Sequence, residues 1–200
     1  ARQIIQAAGV TRGYCLVLGS GEGRLAYHLA TLSQLRVVAV EKDPKMVRKA
    51  REALDAAGLY GSRVSVHLEG ASLPYGPYFA NIICSDSALR TGKLSANPAG
   101  LYRMLRPCGG IIAFGSWEKS GAESLSRARF EAWIKKGGGA SVTAAQGLWV
   151  HTRSPLPGAG NWGHQYGSPD NSACNDDQYV GGKLRVQWWG RPGPRVMPDR

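Results

Sequence analysis

Between residues 14 and 154, short apolar runs rich in Val and Ile alternate with amphipathic helical stretches, a pattern that few architectures accept. The first run, Tyr14-Cys15-Leu16-Val17-Leu18, stops at Gly19-Ser20-Gly21-Glu22-Gly23, after which Leu25, Leu29 and Leu32 recur at helical spacing. A second run, 35–40, ends at Glu41. Asp43 then provides an N-cap and Pro44 a first helical residue. Met46, Val47, Ala50, Leu54 and Ala57 share one face of that helix, which stops at Gly58. Residues 63–68 and 78–84 predict the third and fourth strands. A short helix at 99–105 leads through Pro107-Cys108-Gly109-Gly110 to a fifth strand at 111–114. Residues 120–136 predict a helix with Leu125, Ala128, Ala132 and Trp133 inward, and 140–146 and 148–153 an antiparallel pair around Gly147. Strands apolar on both faces and separated by helices give a parallel sheet covered on both sides. The expected fold is a doubly wound α/β sandwich.

The 200 residues hold one domain and an appendage. After Ser154-Pro155-Leu156-Pro157-Gly158 the composition turns to Pro, Gly, Asn and Asp, with three of the six tryptophans and one strand-like run, 184–189. A division into a 1–153 domain and a 154–200 tail follows. No apolar run approaches the roughly 20 residues that span a bilayer, so no membrane partner is expected. The start, Ala1-Arg2-Gln3-Ile4, has neither an initiating Met nor a signal-peptide layout, as expected of an excerpt or a processed piece.

Net charge is +11, and residues 1–154 carry 20 basic against 10 acidic side chains. The densest cluster, Lys42, Lys45, Arg48, Lys49 and Arg51, shares a helix with Glu52 and Asp55 and has no aromatic residues interleaved for base stacking. It reads as a solvated helix face, and nucleic acid is not the favoured partner. Cys15, Cys84, Cys108 and Cys174 form no CxxC pair, and the four histidines are dispersed. Neither a metal site nor a disulfide framework is expected. Cys108 is expected to be a packing residue.

Three glycines in a strand-to-helix turn fit a ligand-binding loop: Gly19 for the turn, Gly21 for close approach, Gly23 for helix–sheet packing. Glu41 ends the next strand 18 residues after Gly23, where a carboxylate can accept from both ribose hydroxyls. Glu22 inside the turn would repel a pyrophosphate but tolerate a cationic or zwitterionic nucleoside.

The order LVLGSGEG, VVAVEKDPKMV, RVSVHLEGASLPY, FANIICSD, LYRMLRPCGGIIAF resembles class I S-adenosylmethionine-dependent methyltransferases over about residues 3–153. That resemblance implies a Rossmann-like, seven-stranded, mostly parallel sheet with its last strand antiparallel, and S-adenosylmethionine as cofactor. By the family pattern Gly19, Ser20, Gly21, Glu22 and Gly23 would border the methionine part, and Glu41 would hold the ribose. Lys42 would flank the adenine, and Ser85 would lie under the cofactor. The family's Gly-Asp after the third strand is replaced by Glu69-Gly70-Ala71-Ser72. Glu69 or Ser72 would substitute there, with Ala71 beside them.

Methyl transfer from a sulfonium needs a positioned nucleophile and a base where the nucleophile carries a proton. Asp86, directly after the fourth strand, is the candidate base; the alternative is a carboxylate in a turn or helix cap. No NPPY-type tetrapeptide follows that strand, so a small-molecule acceptor is favoured over DNA adenine. Residues 161–172 resemble the opening of a quinoprotein-like (PQQ-type) β-propeller repeat. That resemblance implies a larger parent polypeptide, and a rival reading as a non-catalytic binding or structural module beside a propeller. Use of S-adenosylmethionine favours the cytoplasm, whereas a propeller fusion favours export.

Overall fold

The computed structural model describes residues 1–94, 96–115, 125–161, 163, 164, 167, 169, 170 and 176–179. Among them the elements run α1 (Arg2–Ala8), β1 (Arg12–Leu18), α2 (Arg24–Thr31), β2 (Gln34–Glu41), α3 (Pro44–Ala56), β3 (Val64–Leu68), β4 (Ile82–Ser85), α4 (Asp86–Thr91), α5 (Pro98–Met104), β5 (Ile111–Phe114), α6 (Arg127–Lys136), β6 (Thr143–Ala145) and β7 (Leu148–Thr152). One seven-stranded sheet results, in the order β3-β2-β1-β4-β5-β7-β6. Strands β1 to β5 pair in parallel, whereas β7 is antiparallel to both β5 and β6. Gln146 and Gly147, both at positive φ, join β6 to β7 as the two-residue turn that a right-twisted hairpin prefers.

Alternation along each strand gives two cores. Cys15, Val17, Val37 and Ala39 pack with α2 and α3, and Ile4 of α1 joins them. On the opposite face Leu16, Ile83, Ile112 and Phe114 pack with Leu101 and Met104 of α5 and Phe130 and Trp133 of α6. Capping sets the helix starts. Asp43 accepts from the Lys45 N–H ahead of Pro44, Asn97 from the Ala99 N–H ahead of Pro98, and Ser126 from the Arg129 N–H.

Several local expectations are corrected. Leu32 is 44% exposed because α2 ends one residue earlier. In α6 the bulky Phe130, Trp133 and Ile134 take the interior, leaving Ala128 and Ala132 outside. The helix starts at Arg127, capped by Ser126, rather than at Ser120; Leu125 is buried but precedes the helix, and residues 116–124 lie outside the described residues. Strand β4 begins only at Ile82, since Tyr78 stands at φ 64, off any strand geometry. Cys108 does not pack: it is exposed at φ 56 in the turn before β5. Its N–H and that of Gly109 reach back to the Ser154 and Arg153 carbonyls.

Contacts divide the chain into Ala1–Pro155 and Leu156–Arg200. Within the second unit the Gly160 N–H donates to Asp177 Oδ2 at 2.9 Å and the Gln178 N–H to the Gly158 carbonyl at 2.8 Å. Trp162 and the strand expected at 184–189, on which the propeller reading depends, lie outside the described residues.

Candidate functional site

With β2 on one side of β1 and β4 on the other, the chain reverses its winding between β1 and β4. Doubly wound sheets bind ligands in the crevice beyond the carboxyl ends of the strands at such a point. Four strand ends supply the local chemistry: the glycine loop after β1, Glu41 on β2, Glu69 after β3, and Ser85 with Asp86 at β4.

The loop is tied into the sheet. The Ser20 N–H donates to the Val40 carbonyl at 3.0 Å, and the Gly23 N–H to the Ser20 carbonyl at 2.9 Å. At φ 54, Gly21 sits in the left-handed region, and its N–H donates to Glu41 Oε2 at 2.7 Å. A Cβ on Gly21 would stand 3.5 Å from the Arg90 guanidinium and 3.7 Å from Asp86 Oδ2. It would project into a cavity of about 290 Å³ lined by Ser20, Gly21, Glu22, Arg24, Met46, Asp86 and Arg90. Gly23, at φ 83, is crowded by Ala50 and Leu54, so it permits close approach of α3 rather than of the sheet, as its position had suggested.

Glu41 is held by three backbone donors: Gly21 on Oε2, and Lys42 and Asp43 on Oε1 at 2.7 and 3.2 Å. Its own carbonyl accepts from the Glu69 N–H at 2.8 Å. Glu69 lines a second cavity, of about 460 Å³, with Lys42, Ala71, Ser72, Asn97 and Arg103 among its walls. Lys42 Nζ lies 3.8 Å from Glu69 Oε1. Glu41 is thus bonded to one residue of each cavity, to Gly21 through its side chain and to Glu69 through its main chain. Glu22 pairs with Lys49 at 3.4 Å and Arg24 at 3.8 Å, so its charge is partly compensated at the surface.

Ser85 is buried beneath this end of the sheet. Its hydroxyl donates to the Leu18 carbonyl at 3.3 Å and accepts from the Ala88 N–H at 3.0 Å, which makes it the N-cap of α4. Asp86, the first residue of that helix, receives Arg90 Nε at 3.1 Å. Burial pushes the Asp86 carboxyl up from its ordinary value. The Arg90 guanidinium pulls it down, and Glu41 adds to the rise. Arg90 and Met46 were not foreseen as site residues. An acid four residues before a base is a legible helical pair, but it required recognising a helix only six residues long.

Ser20 is 1% exposed, and its hydroxyl has no hydrogen-bond partner among the described residues. A buried polar atom of this kind is costly unless a ligand or water meets it. Together with the open space above Gly21, it fits a polar ligand that lies on the loop. Among the described residues no group of three or more His, Cys, Asp or Glu could hold a metal ion. No described helix is long and apolar enough to cross a membrane.

Residues 15–109 match a family described as "Methyltransferase domain". No curated protein sequence matches the chain. Among solved structures, a protein from Methanococcus maripaludis assigned as an S-adenosyl-L-methionine-dependent methyltransferase superposes with a TM-score of 0.65 at 20% identity, covering 78% of this chain and 83% of that one. The [4+2]-cyclase SpnF gives 0.58 at 19%, over 70% and 57%. Phosphoethanolamine N-methyltransferase 2 of Haemonchus contortus, in complex with S-adenosyl-L-methionine, gives 0.54 at 20%, over 70% and 36%. At these identities the superpositions establish the fold. The chain thus has the Rossmann-like methyltransferase fold, with residues 15–109 matching the methyltransferase-domain family.

Proposed function

We propose that the chain is an S-adenosylmethionine-dependent methyltransferase acting on a small-molecule acceptor. The observation that carries the reading is the bond from the Gly21 N–H to Glu41 Oε2, which joins the glycine turn after β1 to the acidic end of the neighbouring strand β2. A fold alone does not name a reaction, since a cyclase shares this one; the residues at the site carry the rest.

In this reading Gly19, Ser20, Gly21, Glu22 and Gly23 border the amino-acid end of the cofactor, with the unpartnered Ser20 hydroxyl available to it. Glu41 takes the ribose hydroxyls. Lys42, Glu69 and Ala71, which line one cavity, take the adenine, and Ser85 supports the floor by capping α4. When bound, S-adenosylmethionine supplies a methyl group on a sulfonium with a good thioether leaving group. Asp86 accepts the proton of an acceptor hydroxyl or amine, and Arg90 holds its carboxylate in place. A small acceptor is supported by the absence of an NPPY-type motif after β4. It is supported also by the phosphoethanolamine methyltransferase among the similar structures.

Calorimetric titration with S-adenosylmethionine tests this. Binding is expected, and Glu41→Ala should weaken it by about 1–3 kcal/mol, the scale of charge-assisted hydrogen bonds. No binding at millimolar cofactor would overturn the reading.

A further inference from the structure

A parallel sheet is ordinarily covered by helices on both faces, yet part of one face here carries no helix among the described residues. The main helix contacts of β2 and β3 come from α2 and α3, whose side chains pack with Val37, Ala39, Val64 and Val66. The opposite face of the same strands carries Arg36, Val38 and His67. Among the described residues it is overlaid by the coil between β3 and β4, through Tyr75 and Phe79. Parallel register sets Tyr14 beside Arg36, and Val40 beside His67, on that face. Arg12, two residues before Tyr14, points the same way. Arg12, Tyr14, Arg36 and His67 are all exposed, Tyr14 at 42%.

The rings form a continuous row across the face. Tyr14 and Phe79 have centroids 6.2 Å apart, Phe79 and Tyr75 5.1 Å, and Tyr75 and His67 5.9 Å. The row is braced by the Tyr75 hydroxyl, 2.8 Å from His67 Nδ1. Burial raises the Tyr75 phenol to about 12, so it adds no negative charge near neutrality. Glu69, two residues beyond His67, is paired with Lys42. The result is an aromatic row flanked by Arg12 and Arg36, in a chain of net charge +11.

We infer that this face binds single-stranded nucleic acid, with bases stacking on the exposed rings and phosphates meeting Arg12 and Arg36. Aromatic platforms on a sheet flanked by basic side chains suit unpaired bases, because every base offers a π-face and every nucleotide a negative charge. A duplex, whose bases are already stacked, could use only the charges. The combination was not visible in the sequence, where Tyr14, Arg36 and His67 are more than twenty residues apart. The basic run at 42–51, which drew attention there, lacks the rings.

The test is fluorescence anisotropy of labelled oligo(dT) and oligo(U), about twelve nucleotides long, with the full chain at about 50 and 200 mM salt. Tyr14→Ala should weaken binding roughly 5- to 100-fold, while Tyr14→Phe should bind like the native chain. Arg36→Gln should lower the salt slope by about one, and Arg48→Gln on α3 should leave the affinity unchanged. Circular dichroism of each variant controls for folding. Absence of binding would overturn the inference. So would equal affinity for duplex, losses that follow Arg48 rather than Tyr14, or self-association that buries Tyr14. Cofactor titration of the same samples keeps this outcome separate from the fate of the methyltransferase reading.

Discussion

Asp86 stands under opposing influences: burial raises its proton affinity, Arg90 lowers it and Glu41 raises it again. A carboxylate whose proton affinity is raised is better matched to proton abstraction near neutrality than an ordinary one. For Asp86→Asn, kcat for methyl transfer should fall about 10²- to 10⁴-fold with cofactor affinity nearly unchanged, measured by product formation alongside calorimetry. The same residue gives a pH signature. Because its folded value lies above the unfolded 3.8, the stability it contributes is fully present below that pH and is lost as pH rises through the folded value. Urea melts across this window should show native stability declining relative to Asp86→Asn as pH increases. A constant difference between the two proteins would contradict the assignment. At this scale the sequence was informative about where Gly21, Glu41 and Asp86 lie, at or close to the ends of their own strands. It was uninformative about Arg90, whose role depends on a helix too short to show periodicity.

At the level of elements, the β4–α4 junction holds the candidate base in place. The Ser85 hydroxyl caps α4 and donates to the Leu18 carbonyl, so one side chain joins β1, β4 and the helix that carries Asp86 and Arg90. Ser85→Ala should cost about 1 kcal/mol by chemical denaturation and reduce turnover more than it reduces cofactor binding. Unchanged stability and turnover would show that the cap is dispensable. The outer strand β3 is protected by a comparable device: Arg51 Nε and Nη2 both donate to the Val66 carbonyl, closing part of an edge that could otherwise pair with another chain. The carboxyl half of β1 and all of β5 were placed well, because burial on both faces leaves an unbroken apolar signal; β2 and β3, exposed along part of one face, show apolar residues on alternate positions instead. The start of β4 was misplaced. Tyr78 and Phe79 look like strand residues, but the chain turns at Tyr78 and pairs only from Ile82.

For the whole molecule, the contact division at Pro155 has a consequence that can be measured. The sheet, both cores and both cavities belong to Ala1–Pro155, and we propose that this unit folds without the remainder. A chain ending at Pro155, which keeps the Ser154 carbonyl bonded to Cys108, should be soluble, melt cooperatively and bind cofactor as the full chain does. Collapse on truncation would show that the tail is part of its packing. Parallel topology was readable from alternation and the glycine turn, whereas the tail, with one strand-like run, offered no periodicity to interpret. The most direct test of the central claim is amide chemical-shift mapping during titration with S-adenosylhomocysteine. The account predicts that the largest perturbations fall together at residues 19–23, 41–42, 69–71 and 85–86, at the carboxyl ends of β1 to β4. Perturbations confined to other surfaces, or none at saturating ligand, would contradict it.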